Sequence, residues 1–337
     1  MRRIVPVLAL CALVLAAAGT SAQFQTYTAW AIDSSQGGFG IWHPLGSLST
    51  GTADEARWQQ LFLAPYLPPV RALLDGIELA PHVSTTVPYT SVIFSAGHTS
   101  VTSLSRTFAT NLPVPVTVHG FQSQSIAWPS TGQWYRFTFQ APLVYDGQSH
   151  LIIEVQKIID RVTNPGLGTM SHLNQYPRRN DLPWPIWSTG SVGSGAATAP
   201  QAGTIYNGGP LLMRLYWTGA RTLTIGSTWS SGRQPYHLGS TVNLTTRGPA
   251  GEVFLVGFDV ALRSSPLVIP GIQGAWWLQG TFNLLGMGII NAQNEGKLSL
   301  PVPNAATLVG TQVYFQAGTV IGNSVFFTNV VDFIVSS

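Results

Sequence analysis

The chain is 337 residues long, 45% hydrophobic and only 9% charged, with a formal net charge of +3 and one cysteine. A balance this near neutral excludes the basic face that nucleic-acid binding requires. The 35 glycines, 23 prolines, 15 phenylalanines, 11 tryptophans and 10 tyrosines suit many short strands joined by tight turns.

Residues 1–22 have the order of a secretory signal peptide. Arg2 and Arg3 open it, residues 4–18 are apolar, and Thr20-Ser21-Ala22 precede an expected cut before Gln23. The apolar run is short for a membrane span, and the rest of a twin-arginine motif is missing. Leu10 stands before Cys11, where a lipoprotein site wants a small residue. Cys11 would leave with the leader, so no disulfide, thiolate metal site or cysteine nucleophile is expected in the mature chain. The 14 basic and 13 acidic side chains that remain are nearly balanced. Stability must come from apolar burial, in about two domains. No later segment is apolar for long enough to cross a bilayer. A secreted or cell-surface protein, extracellular or periplasmic, is expected.

Residues 24–32 alternate as a first strand, and residues 36–40 read as a loop. Residues 54–63, with Asp54 and Glu55 in the first turn, predict a short helix or turn. Strands are predicted at 73–80, 90–96, 104–110 and 114–119. The clearest pair lies within residues 133–155. Tyr135, Phe137 and Phe139 share one face there, and Trp134, Arg136 and Thr138 the other. After Asp146-Gly147, Leu151, Ile153 and Val155 oppose Ile152 and Glu154. Such alternation is what half-buried strands need. The pattern lapses over 160–210, too long for a structureless loop in a compact domain, so short strands are expected at 169–173, 185–188 and 204–206. Residues 211–217, apolar on both faces, return to the sheet and close the first domain.

Residues 218–220 form the expected boundary. Seven short strands follow, at 222–225, 241–246, 253–260, 275–278, 297–302, 311–317 and 325–335. Seven strands in about 115 residues are what an immunoglobulin-like sandwich requires. The expected fold is all-β, with one β-sandwich over residues 23–218 and an immunoglobulin-like β-sandwich over 221–337.

Several pieces resemble a known kind of protein. Gly271-Ile272-Gln273-Gly274, residues 291–303, residues 308–317 and Thr328-Asn329 resemble a recurrent C-terminal module of secreted proteins from planctomycete-type bacteria. Trp58-Gln59-Gln60, residues 107–111, Trp128, Gly132-Gln133-Trp134 and Tyr145-Asp146-Gly147 leading into 151–155 are similar to a jelly-roll-like module of the same proteins. Arg57 stands where that module has an early arginine. The resemblance covers most of the mature chain. It implies a secreted two-module β-sandwich protein whose first domain is jelly-roll-like. Those families are of unknown function, so no functional residue is carried over.

Few catalytic patterns survive inspection. No serine sits in Gly-x-Ser-x-Gly; Ser191 and Ser194 have the wrong spacing, and no βαβ unit would hold a nucleophile elbow. His43, His82, His98, His119, His150, His172 and His237 form no metal-binding motif. A glycosidase needs two carboxylates across a cleft. The strand candidates are Asp75, Glu78, Glu154 and Asp259; Glu154 and Asp259, flanked by apolar residues, are read as outward-facing. Asp146-Gly147-Gln148-Ser149 is oxygen-rich but lacks the repeated acids of a calcium loop and reads as a turn. No catalytic residue, metal or cofactor is assigned.

Aromatic clusters remain at Trp42-His43-Pro44, Trp184-Pro185-Ile186-Trp187 and Trp276-Trp277. Loop indoles stack on sugar rings or plug the open ends of sandwiches, and plugging is the default. A ligand site, if the chain has one, is placed within residues 160–210, on Trp184 and Trp187 with Arg178, Asn180 and Asp181 as hydrogen-bonding partners. The expected role is an exported non-catalytic surface, matrix or adhesion-type protein. The rivals are a carbohydrate-binding protein using those tryptophans and a polysaccharide hydrolase with an unrecognised carboxylate pair. Expected partners are polysaccharide or other cell-surface components.

Overall fold

A computed structural model describes residues 24–30, 40–41, 44–52, 54–83, 85–130, 133–173, 185–205, 211–227, 236–280 and 283–337. The expected signal peptide lies outside them. Among the described residues, thirteen strands precede residue 220: β1 (Gln25–Trp30), β2 (Gly40–Ile41), β3 (Glu55–Phe62), β4 (Ala72–Leu79), β5 (Pro81–Val83), β6 (Thr86–Thr99), β7 (Val116–Ala127), β8 (Tyr135–Tyr145), β9 (His150–Ile159), β10 (Ser171–Leu173), β11 (Ile186–Gly190), β12 (Thr204–Ile205) and β13 (Met213–Thr218). A single helical turn, α1 (Phe108–Asn111), lies between β6 and β7.

Two sheets face each other, ordered β1-β13-β4-β8 and β12-β11-β3-β9-β6-β7. The principal strands are β1, β3, β4, β6, β7, β8, β9 and β13. Counted from first to eighth in that order, they interleave as 1-8-3-6 against 2-7-4-5. That connectivity is the jelly roll. Alternation, broken in β4 by a bulge between Leu74 and Gly76, turns Leu74, Ile77 and Leu79 of β4 and Leu215 and Trp217 of β13 inward, against Val92 and Phe94 of β6 and Leu151, Ile153 and Val155 of β9. A small sheet, β2-β10-β5, accompanies them.

The inward row of β9 continues to a lysine. Lys157 is 1% exposed and donates to the carbonyl of Gly46. Burial pulls its pKa down to about 7, against a smaller opposing pull from Asp54. His172 of β10 is fully buried, edge-on to Trp128 at 4.7 Å. Burial first, and then Lys157, lower its pKa to about 3.

Two expectations fail in this half. Residues 54–63 were expected to form a helix or turn, but Glu55–Phe62 is a strand. Ala56, Arg57, Gln59, Gln60 and Leu61 are good helix formers, yet β3 pairs with β9 on one side and β11 on the other. Trp58 and Phe62 join the core, and Leu61 packs with Leu112 and Ile152 on the outer face. Pairing and burial on both faces override local preference. The strand expected over 104–110 is replaced by α1. Asn111 closes that turn by accepting from Ser105 N at 2.8 Å and donating to Ser105 O and to Gln59 Oε1.

The rest of the chain forms β14 (Thr222–Ser227), β15 (Thr241–Arg247), β16 (Val253–Asp259), β17 (Leu262–Leu267), β18 (Ile272–Gln273), β19 (Trp276–Leu278), β20 (Asn283–Ile289), β21 (Glu295–Pro301), β22 (Gln312–Ile321) and β23 (Ser324–Ile334). Sheets β14-β15-β21 and β18-β23-β22-β16-β20 enclose a second core, including Leu223, Leu244, Phe254, Phe315 and Phe333. The strand expected at 275–278 belongs instead to a side hairpin, β17-β19. Its place in the sandwich is taken by β20, whose two glycines mask its pattern. Gln316 fixes the hairpin, accepting from Trp277 N and donating to Ala275 O at 2.7 Å. Asn329 of β23 likewise pairs with both backbone groups of Leu223 at 2.9 Å, joining the two sheets.

Candidate functional site

Trp187 stands opposite Trp58 across the β11–β3 pair, so alternation turns it into the first core, where it is 8% exposed. It has no open ring face for a sugar. Arg178, Asn180, Asp181 and Trp184 lie outside the described residues, as do Trp42 and His43. Trp276 and Trp277 are 5% and 8% exposed. Trp277 packs with Val330 and with Ala64 of the first sandwich, so these indoles plug rather than display.

The candidate carboxylates are each engaged locally. Glu154 faces outward from β9 yet is 2% exposed. It accepts from Arg57 Nε at 3.1 Å, Gln59 Nε2 at 2.7 Å and Gln156 Nε2 at 2.8 Å. Arg57 also donates to Ala199 O and lies over the Phe108 ring. Asp259 accepts from the backbone N–H groups of Val260 and Gly280. Asp75 and Glu78 share the outer face of the four-stranded sheet. A bulge turns Asp75 outward, where Gln25, Thr218 and Arg136 hold it, while Arg214 holds Glu78 at 3.3 Å. The rings beside them are covered by cations. Arg136 sits 3.8 Å over Tyr216, Arg214 sits 4.0 Å from Trp134, and Arg247 of the second sandwich sits 4.0 Å from Tyr27. Burial, then Glu78, push the Tyr216 phenol up to about 12, so it stays neutral near pH 7. This face is a tie between strands and between sandwiches.

An open cleft of about 610 Å³ lies elsewhere, at one end of the jelly roll. Three stretches meet there: the end of β6 with Ser100 and Val101, the α1 connection through Thr110 and Pro113, and the β8–β9 turn through Gln148, Ser149 and His150. The β6–β9 register sets Thr99 against His150 and His98 against Leu151, at the end of the pair where both imidazoles line the cleft. Gly147 makes the turn possible, with φ of +84°; a Cβ there would lie 2.6 Å from the carbonyl carbon of Val70.

The cleft's electrostatics follow from that turn. Asp146 Oδ1 accepts from Gln148 N at 2.8 Å and Ser149 N at 2.9 Å, and Oδ2 accepts from the Ser149 hydroxyl. Partial burial alone would raise its pKa, but the Ser149 and Gln148 hydrogen bonds and nearby His98 outweigh it and hold the carboxyl below its usual range. The carboxylate serves its own turn, as the sequence suggests. His150 Nδ1 accepts from Ala64 N at 2.9 Å, which puts the proton of the neutral ring on Nε2. Burial lowers its pKa and keeps it neutral. Hydroxyl, amide and imidazole groups line the cleft, and among the described residues no carboxylate does. The arrangement can hold a neutral polar molecule through many hydrogen bonds. Among the described residues no cluster of three or more His, Cys, Asp or Glu could hold a metal, and no helix is long and apolar enough to cross a membrane.

No protein-family model and no curated protein matches the chain. Among solved structures it is similar to a GH2 β-galacturonidase from Eisenbergiella tayi bound to glycerol, at 8% identity and a TM-score of 0.21, over 94% of this chain and 42% of that one. It is also similar to the β-glucuronidase of Parabacteroides merdae, at 9% identity and a TM-score of 0.25, over 93% and 35%. The chain thus spans less than half the length of either enzyme. Similarities this low transfer neither fold nor activity.

Proposed function

We propose that this protein is an exported, non-catalytic surface or matrix component that binds carbohydrate in the cleft between His98 and His150. The observation that carries the reading is the lining of that cleft, rich in hydroxyl, amide and imidazole groups and, among the described residues, free of carboxylates. Its volume lies in the range of small-molecule sites. A sugar presents many neutral donors and acceptors and needs that kind of partner. Hydrolysis would need two carboxylates across one cleft; the strand carboxylates lie on separate faces or are held by arginines, which favours binding over turnover. Export is supported by the order of residues 1–22.

An immunoglobulin-like second module is part of the same reading. Its seven principal strands, β14, β15, β16, β20, β21, β22 and β23, are ordered 1-2-5 against 7-6-3-4. This order supports an immunoglobulin-like sandwich. Such a module suits a spacer that holds the jelly roll away from its attachment.

The test has two parts. N-terminal sequencing of the exported form should begin at Gln23; an intact Met1 in the cytosol would refute export. A glycan array probed with the mature chain should select neutral oligosaccharides. The double variant Ser100→Ala, Gln148→Ala, changing two exposed lining residues, should weaken that binding about ten-fold or more. Equal binding by the variant would refute the cleft.

A further inference from the structure

The second sandwich is open at one end. A cavity of about 210 Å³ lies there between the two sheets and the 302–311 connection. Phe258, Leu285, Leu300, Val313 and Phe333 form much of its wall, and among the described residues Thr311 is the single polar side chain in the lining. The nearby backbone is already paired: Gly310 N donates to Val335 O, Thr311 N to Leu308 O, and Val335 N to Thr311 O. The cavity therefore offers almost nothing to a charge or a sugar.

Loose packing of the whole module does not explain this space. On neighbouring positions the same sheets are in close contact, for a Cβ at Gly296 would run into the Phe254 ring and one at Gly286 would lie 3.2 Å from Leu298. A bulge in β20 makes Leu285 the extra residue of its pair with β16, and its side chain forms part of the cavity wall. A void of about 150 Å³ lined by Leu, Ile and Phe stays dry and takes up benzene. This one has the same kind of lining, more volume and an open mouth.

We infer that the open end of the second sandwich is a binding site for one small uncharged hydrocarbon, of benzene size or with a short alkyl substituent. The site is separate from the cleft of the first sandwich and does not depend on sugar binding there. Enclosure by two sheets and a connection favours a free small molecule over a side chain offered by a protein partner.

Calorimetric titration of the full mature chain with benzene tests this, together with methyl NMR shifts. The expected result is saturable binding of one equivalent, with shifts confined to the lining methyls of Leu285, Leu300, Val302, Leu308, Thr311, Val313 and Val335. Val313→Phe fills the cavity and should weaken binding about ten-fold or more. Should that variant fail to fold, Thr311→Asp, which sets a charge at a half-buried lining position, should give the same loss. Xenon uptake in pressurised crystals gives a reading independent of any variant. No saturable benzene binding, or unchanged binding in a folded variant, would overturn the inference. So would capture of a Phe- or Leu-bearing peptide by a site that ignores benzene.

Discussion

Arg247 Nη2 donates to the phenol oxygen of Tyr27 at 2.7 Å while its guanidinium lies 4.0 Å from the centre of that ring. One residue belongs to the second sandwich and the other to the first strand of the chain. Arg247 also holds Glu295 at 3.2 Å, so one planar cation links the two cores. Lysine would keep the charge but lose the fork and the stacking. Arg247→Lys is expected to cost about 1–2 kcal/mol. A double-mutant cycle with Tyr27→Phe should show coupling; strictly additive effects would mean that the contact contributes nothing.

Stability should climb with pH in two windows. His172 has its pKa lowered to about 3 in the folded chain, against 6.5 for the free side chain. Between those values the unfolded chain binds more protons, so stability rises with pH. Lys157, lowered to about 7 from 10.5, repeats the effect above neutrality. Its contribution there is on the order of 4 kcal/mol. Above about pH 10 the buried Tyr89 phenol, raised chiefly by desolvation, acts oppositely because only the unfolded chain ionises it. Urea melts at pH 7 and pH 9.5 should differ for the native chain and much less for Lys157→Met. Parallel pH curves would contradict a buried amine.

The bulge at Asp75 depends on its neighbour. A Cβ on Gly76 would lie 2.6 Å from the carbonyl oxygen of Phe137, on a paired strand that cannot give way freely. Gly76→Ala should therefore destabilise the jelly roll by about 1–3 kcal/mol, read as a lower urea midpoint. No change would mean that the strands are further apart.

Trp187 separates core from platform. As an inward residue of β11 it should cost about 3–5 kcal/mol when replaced by Ala. An unchanged melting temperature with lost glycan binding would instead restore the tryptophan segment as the site.

Much of the sandwich was legible because its strands keep a period of two. Phe137, Phe139, Leu151, Ile153 and Val155 are buried as their alternation requires. β13 is more regular than its composition suggests: Met213, Leu215 and Trp217 are buried while Arg214, Tyr216 and Thr218 are half-buried, covered in part by arginine–ring contacts. β3 was misread because propensity is local and its burial is not. Lys157 sits one step past Val155 on the inward row, so its burial follows the period of two although a lysine is rarely buried. The cleft had no local signature. Its lining comes from stretches near residues 98–101, 110–113 and 148–150, which only strand pairing brings together.

The most direct test of the account is a two-dimensional amide NMR titration of the mature chain with the neutral oligosaccharide that a glycan array selects. Saturable shifts are expected at Thr99, Ser100, Thr110, Gln148, Ser149 and His150, with the affinity they report lowered about ten-fold or more in the Ser100→Ala, Gln148→Ala variant. Saturable shifts centred on residues 178–187 instead, or no shift with any glycan, would contradict it.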